Sequence, residues 1–217
     1  LVQTGMALKL QRWLLDLAGN SLAISLAGAM VLTIILGMGM PTTAAYLVSA
    51  ILVAPALQEL GVAPLAAHLF ILYFGILSMV TPPVALSAYA AAGISGSNLW
   101  NTGVLAFILA IPGFLIPYAF ASNPALLLQG AFNESGVVIT SGFIGVIGVA
   151  AACGGYAFGP LSIPLRILMF FTAPLLIVPD GITDIFGLVC LVAICFYQVW
   201  QYKMSASGKQ RNASSKN

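Results

Sequence analysis

From Leu17 to Gln58 the sequence runs without a single charged residue, and a stretch of that kind has few ways to fold. About 20 apolar residues in a helix span the ~30 Å hydrocarbon core of a bilayer. Within lipid, only helices and closed barrels pair every backbone N–H and C=O. The apolar runs here are not alternating ten-residue strands, which leaves helices. Composition agrees: 61% of residues are hydrophobic and 6% charged, against roughly 45–50% and about 25% in a soluble domain. The expected fold is therefore an all-α integral membrane protein that spans several times. A net charge of +2 is too small to suggest a nucleic-acid partner.

The middle of the long run reads "ILGMGMPTTAAYLVSA", residues 35–50, with two glycines, a proline and two threonines where the bilayer centre should be. Two readings compete. One is a pair of complete spans joined by an unusually apolar turn; the other is a helix-break-helix hairpin whose tip lies inside the membrane. The next run, Pro64 to Ile94, is broken in the same fashion by "SMVTPPVAL". Pro82 and Pro83 lack amide donors, so carbonyls just upstream lose their helical partners.

Around these breaks the chain divides into five stretches. Residues 1–16 mix Lys9, Arg12 and Asp16 with Trp13 and leucines, a pattern that suits a helix lying at the lipid interface. Residues 17–59 hold the hairpin and 60–102 the interrupted helix with its connection. Residues 103–202 carry the closing helices: a span from Gly103 to Ala121 with Pro112 and Pro117, another from Val137 to Gly159, a shorter apolar run to Pro179, and Ile185 to Trp200. In the second of these, Gly142, Gly145, Gly148, Ala151 and Gly155 recur at helical spacing, which lets a neighbouring helix approach closely. Asp180 or Asp184 suits the N-cap of the last helix. Residues 203–217 read as a disordered tail whose Lys203, Lys209, Arg211 and Lys216 place it in the cytoplasm, or alternatively on anionic lipid. Counting back from that tail puts Arg166 inside and Glu134, Leu17 and Glu59 outside, with the hairpin entering from the external face; Lys9 and Arg12 fit this orientation less well. The opening "LVQTGMALKLQRW" suggests the C-terminal part of a longer protein.

Irregular backbone at membrane depth is tolerated only where protein buries it or it lines a polar cavity. A single break is more often a kink than a site, because Gly and Pro are common in membrane helices. Two breaks, each carrying Ser or Thr, point to a shared cavity. Gly37, Gly39, Met40 and Pro41 permit tight or extended backbone, Thr42 and Thr43 add hydroxyl oxygens, and Ser78 and Thr81 do the same beside Pro82 and Pro83. Neutral oxygens of this kind suit a hard cation such as sodium, while half-helix N-termini favour an anionic group on the substrate. Asp16, Glu59, Glu134, Asp180 and Asp184 all lie at run ends, so a carboxylate proton relay is disfavoured within this chain. His68 reads first as a packing residue and second as a proton carrier or ligand. Cys153, Cys190 and Cys195 lie in apolar runs and read as packing residues. No metal-ligand cluster or phosphate-binding glycine loop stands out, so neither an enzyme nor a bound cofactor is expected. "NES" at Asn133 and "NAS" at Asn212 match a glycosylation pattern that occurs easily by chance.

Leu36 to Gly96, with the hairpin followed at this spacing by "AAHLF" and "TPPVAL", resembles the second half of the large membrane subunit of tripartite ATP-independent periplasmic (TRAP) transporters. The similarity is greatest to the type in which small and large membrane subunits are fused and served by a TAXI-type receptor. Gly103 to Trp200 is similar in general pattern only. The resemblance implies one half of an inverted-repeat elevator fold in a bacterial or archaeal cytoplasmic membrane, with one re-entrant hairpin and one interrupted helix present. It implies sodium-driven symport of small organic acids handed over by a periplasmic solute-binding protein. By the same resemblance sodium would be held at Gly37, Gly39, Thr42, Thr43, Ser78 and Thr81, and the upstream half and the small subunit become partners. Two other classes stay open on the residues alone: a passive channel, which would keep the broken helices without coupling, and a structural membrane subunit in which the breaks only accommodate neighbours.

Overall fold

Helices form wherever the charge-free runs lie, and they stop where glycine or proline alters the backbone. The computed structural model describes residues 5–18, 21–129, 132–177, 186–194 and 196–198. Among them there is no strand; Tyr156 and Pro160 form an isolated bridge. The tail, Asp180, Asp184 and Cys195 lie outside the described residues. The chain divides into two compact units, Leu1–Ser135 and Gly136–Asn217.

In the first unit α1 (Met6–Ala18) packs on α2 (Leu22–Gly37) and α3 (Thr42–Glu59), which form a helical hairpin. α1 buries Leu14 and leaves Lys9, Arg12 and Trp13 exposed. α2 starts beyond Ser21, whose carbonyl accepts the Ser25 hydroxyl at 3.2 Å. Inside α3, Pro55 has no N–H for the carbonyl four residues back. That carbonyl, Ile51 O, instead faces the Gln11 side-chain amide of α1 at 3.4 Å. α3 turns into α4 (Pro64–Leu77) through Gly61, whose φ is +89°. Pro64 stands at the start of α4, where its missing donor costs nothing.

α4 packs on both hairpin arms and on α6 (Leu99–Ser122). Its Phe70 and Phe74 are fully buried and meet each other edge-on at 4.7 Å, with Tyr118 and Phe114 of α6 closing the cluster at 5.6–6.0 Å. In lipid, where apolar side chains gain little by leaving the solvent, such packing holds helices together, and each aromatic pair adds about 0.5–1.5 kcal/mol. After α4 come a 3-10 turn (Ser78–Val80), an irregular segment, and the short α5 (Leu86–Ser95), which packs on α6. α6 begins at Leu99, earlier than the sequence pattern places it. Asn98 caps it, its side-chain oxygen accepting the Asn101 amide at 3.0 Å.

In the second unit α7 (Phe132–Gly154) stops short of Gly159, where the apolar run predicts its end. Gly155 takes a left-handed φ of +69°, and Arg166 of α8 (Ile163–Thr172) donates to the Ala152 and Cys153 carbonyls at 3.0 and 2.9 Å. A cation on the last orphan carbonyls is a favourable stop. α8 continues as a 3-10 turn, Ala173–Leu176. The glycine stripe of α7 faces that turn: a Cβ on Gly145 would lie 2.8 Å from Ala173 O, and one on Gly148 would lie 2.8 Å from Ala173 Cβ. Among the described residues two helices, Leu99–Ser122 and Ser135–Gly154, are long and apolar enough to cross a membrane.

Candidate functional site

The hairpin tip is a four-residue turn built by its own sequence. Met38 N still bonds Ile34 O at 3.0 Å, and Met40 N closes onto Gly37 O at 3.3 Å. Gly39, at φ +79°, then takes a conformation that side chains disfavour. Pro41 supplies the N-cap of α3, with Ala45 N on its carbonyl at 3.0 Å. α2 thus ends and α3 begins within one tight turn. The first presents its last carbonyls there and the second its first amides.

The break lies against this tip. A Cβ on Gly37 would stand 2.7 Å from Ser78 Oγ and 3.5 Å from Ala45 Cβ. The C-terminal end of α2 and the C-terminal end of α4 therefore meet at a glycine and a serine far apart in sequence. Each helix C-terminus carries roughly half a negative charge on its unpaired carbonyls. Ser78 is 1% exposed and Gly37 is buried, so two negative helix ends converge in a place shielded from solvent. Among the described residues no three His, Cys, Asp or Glu side chains gather as a metal-ligand cluster, and the side-chain oxygen that meets Gly37 is the Ser78 hydroxyl.

The hydroxyls of the break have settled their protons. Ser78 Oγ donates to Gly75 O at 2.7 Å and Thr81 Oγ1 to Leu77 O at 2.7 Å. Each has given up its one donor hydrogen and keeps only lone pairs. The backbone refines the expectation of freed carbonyls. Ser78 O is recovered by Thr81 N at 3.3 Å, whereas the two helical donors that could serve Met79 O belong to Pro82 and Pro83, which have none. The double proline is thus a device that withholds both local donors from one carbonyl.

Of the ten residues singled out in the sequence, Gly37 and Ser78 are in direct contact, with Thr81 one turn beyond. Met40, Thr42, Thr81 and Pro82 are half-buried, and Gly39, Pro41, Thr43 and Pro83 are exposed. A Cβ on Gly39 would have nothing within 4 Å, so that glycine serves the turn and not a close approach. His68 is hydrogen-bonded across α3 and α4, its Nδ1 lying 3.1 Å from the Tyr46 hydroxyl.

Three residues that shape the break stand outside the set that the sequence pattern singles out. Ala85 caps α5 in a left-handed conformation, φ 34° and ψ 46°, while fully buried. Tyr89 donates its hydroxyl to Pro83 O at 2.8 Å, and Gly103 of α6 makes room for the Tyr89 ring. A tyrosine in the alanine-rich "LSAYAAAG" was the one available hint, since its hydroxyl needs a partner in so apolar a helix.

The model of the family described as "Tripartite ATP-independent periplasmic transporter, DctM component" matches residues 1–135, a stretch that includes both the tip and the break. No curated protein and no solved structure matches the chain.

Proposed function

The chain belongs to the DctM component family of tripartite ATP-independent periplasmic transporters, a family of membrane permeases and not of enzymes, and we propose that it couples sodium to the uptake of small carboxylates. The observation that carries this reading is the contact of Gly37 with Ser78, where two helix C-termini and acceptor-only hydroxyls converge. A small cation is the ligand that such an arrangement favours. Gly37 and Ser78, with Thr81, Thr42, Thr43, Gly39 and the Met79 carbonyl, would supply its oxygens.

The same turn and break start two helices, α3 at Thr42 and α5 at Leu86. Their free amides and positive dipole ends suit the carboxylate of an organic acid, with Met40, Pro41, Pro82 and Pro83 shaping its surroundings. The lengths of the arms support a re-entrant hairpin. α2 has 16 residues and reaches about 24 Å at 1.5 Å per residue, short of the ~30 Å hydrocarbon core. Sodium at the tip would let the hairpin close over the acid, after which the carrier part moves across the membrane as an elevator. A periplasmic solute-binding protein, of the TAXI type, delivers the acid. The chain supplies the C-terminal half of the permease, in the cytoplasmic membrane with its C-terminus inside, and works with an upstream half and a fused small subunit.

The test is thermal unfolding of the purified protein in sodium chloride against potassium and choline chloride at matched ionic strength. A ligand bound only by the folded state at a hundredfold excess over Kd stabilises by about 2.7 kcal/mol. A sodium-specific rise in Tm, abolished in Thr81→Ala, is the expected result. The same Tm in all three salts for the wild type would overturn sodium coupling at this site and leave the passive channel as the better reading.

A further inference from the structure

The segment between α4 and α5 has few backbone bonds of its own. Two consecutive prolines remove two of its amide donors, and past the 3-10 turn, where Thr81 N meets Ser78 O at 3.3 Å, the backbone closes a turn with Ala85 N on Thr81 O at 3.1 Å. Yet Ala85 is fully buried in the left-handed region. For a residue with a Cβ that conformation is strained and persists only where the surroundings impose it.

The surroundings come from α5 and α6. Tyr89, one turn into α5 with its amide on Ala85 O at 3.0 Å, sends its hydroxyl back to Pro83 O at 2.8 Å. Its ring lies so close to α6 that a Cβ on Gly103 would stand 2.8 Å from Cε1 and 3.7 Å from the Ala85 Cβ. Any larger residue at 103 would push the ring, and with it the Pro83 carbonyl. The far end of α5 is tied to α6 as well. Ser95 Oγ meets Ser97 Oγ at 2.7 Å, Ser97 Oγ meets Thr102 Oγ1 at 3.0 Å, and Thr102 Oγ1 donates to Asn98 O at 2.9 Å. α5 is thereby fixed to α6 at both ends, and Tyr89 reaches from that wall into the break.

We infer that Tyr89, seated on Gly103, is a positioning residue for the ion site: it anchors the Pro83 carbonyl and so holds the turn that carries Thr81. This rests on the sodium reading above. It assigns to α6, through a side chain that touches neither ion nor substrate, control over the affinity of a site formed by α2 and α4.

The experiment is a sodium titration of Tm for the purified wild type, Tyr89→Phe, Gly103→Ala and the double variant, with amide hydrogen exchange at Ala85 and Tyr89 measured in choline. Tyr89→Phe keeps the ring and removes only the hydrogen bond. Its Tm in choline should stay near that of the wild type, while the sodium concentration for half-maximal stabilisation rises about tenfold, the equivalent of one hydrogen bond. Gly103→Ala should shift it in the same direction, and the double variant should shift it no further than Gly103→Ala alone, because both act through one contact. Exchange at both amides should quicken in Tyr89→Phe. A lower Tm in choline with an unchanged sodium midpoint would make Tyr89 a plain packing residue and overturn the inference, as would full additivity. If the wild type itself shows no sodium response, the coupling proposal fails. The exchange data then judge the anchor separately, unaltered protection in Tyr89→Phe counting against it.

Discussion

Gly37 in the first unit and Gly145 in the second are both helical glycines pressed so closely that a Cβ would collide, and they are pressed by different chemistry. At Gly145 the neighbours are Ile177 Cγ1 at 2.7 Å, Ala173 O at 2.8 Å and Leu176 Cβ at 3.1 Å: alkyl groups and a backbone carbonyl, packed as membrane helices pack. At Gly37 the nearest atom is the Ser78 hydroxyl oxygen at 2.7 Å, in a place where the C-terminal ends of two helices meet. The first closeness holds a fold. The second brings an oxygen to a helix end, the arrangement on which the sodium proposal rests. What separates a site from a seam is the atom that the missing Cβ admits.

That comparison can be broken in order of effect. Gly145→Val should be the most damaging change, because backbone at Ala173 cannot step aside. Overpacking of this kind costs about 3 kcal/mol, read as a fall in Tm that is equal in sodium and choline. Gly37→Ala should lose about 2 kcal/mol, and in sodium only, as the bound-ion stabilisation disappears. The Ser78 side chain can rotate away, so the fall in choline should be small. An equal loss in both salts would reduce Gly37 to a seam residue like Gly145. Gly39→Ala sharpens the contrast, since a Cβ there meets nothing within 4 Å and the only penalty is the left-handed φ of +79°. About 1 kcal/mol, measured by the same unfolding in choline, would separate conformational need from closeness.

Much of this was legible in the sequence because breaks announce themselves. Gly37, Gly39, Pro41, Pro82 and Pro83 interrupt charge-free runs, and local chemistry dictates what they do to a helix. The stripe of Gly145 and Gly148 is read the same way, from spacing. What the pattern could not supply is who faces whom. Ser78 against Gly37, Tyr89 against Gly103 and Gln11 on the Ile51 carbonyl join residues from different helices, and nothing local encodes those pairs. Ala85 is harder still: alanine is a helix former, and its left-handed backbone is imposed entirely by its surroundings. Even the hydroxyls of Ser78 and Thr81, picked out for their oxygens, carry a second role that spacing does not reveal. They satisfy carbonyls at Gly75 and Leu77 as well.

That second role bears on how quickly a guest could come and go. With both protons turned towards the backbone, the wall opposite Gly37 has only lone pairs to show. On the sodium reading proposed above, a cation reaching those oxygens would find the lone pairs already aimed at it. No hydroxyl would need to turn to receive it or to let it go, so the cost of each exchange would fall on the ion's own hydration shell.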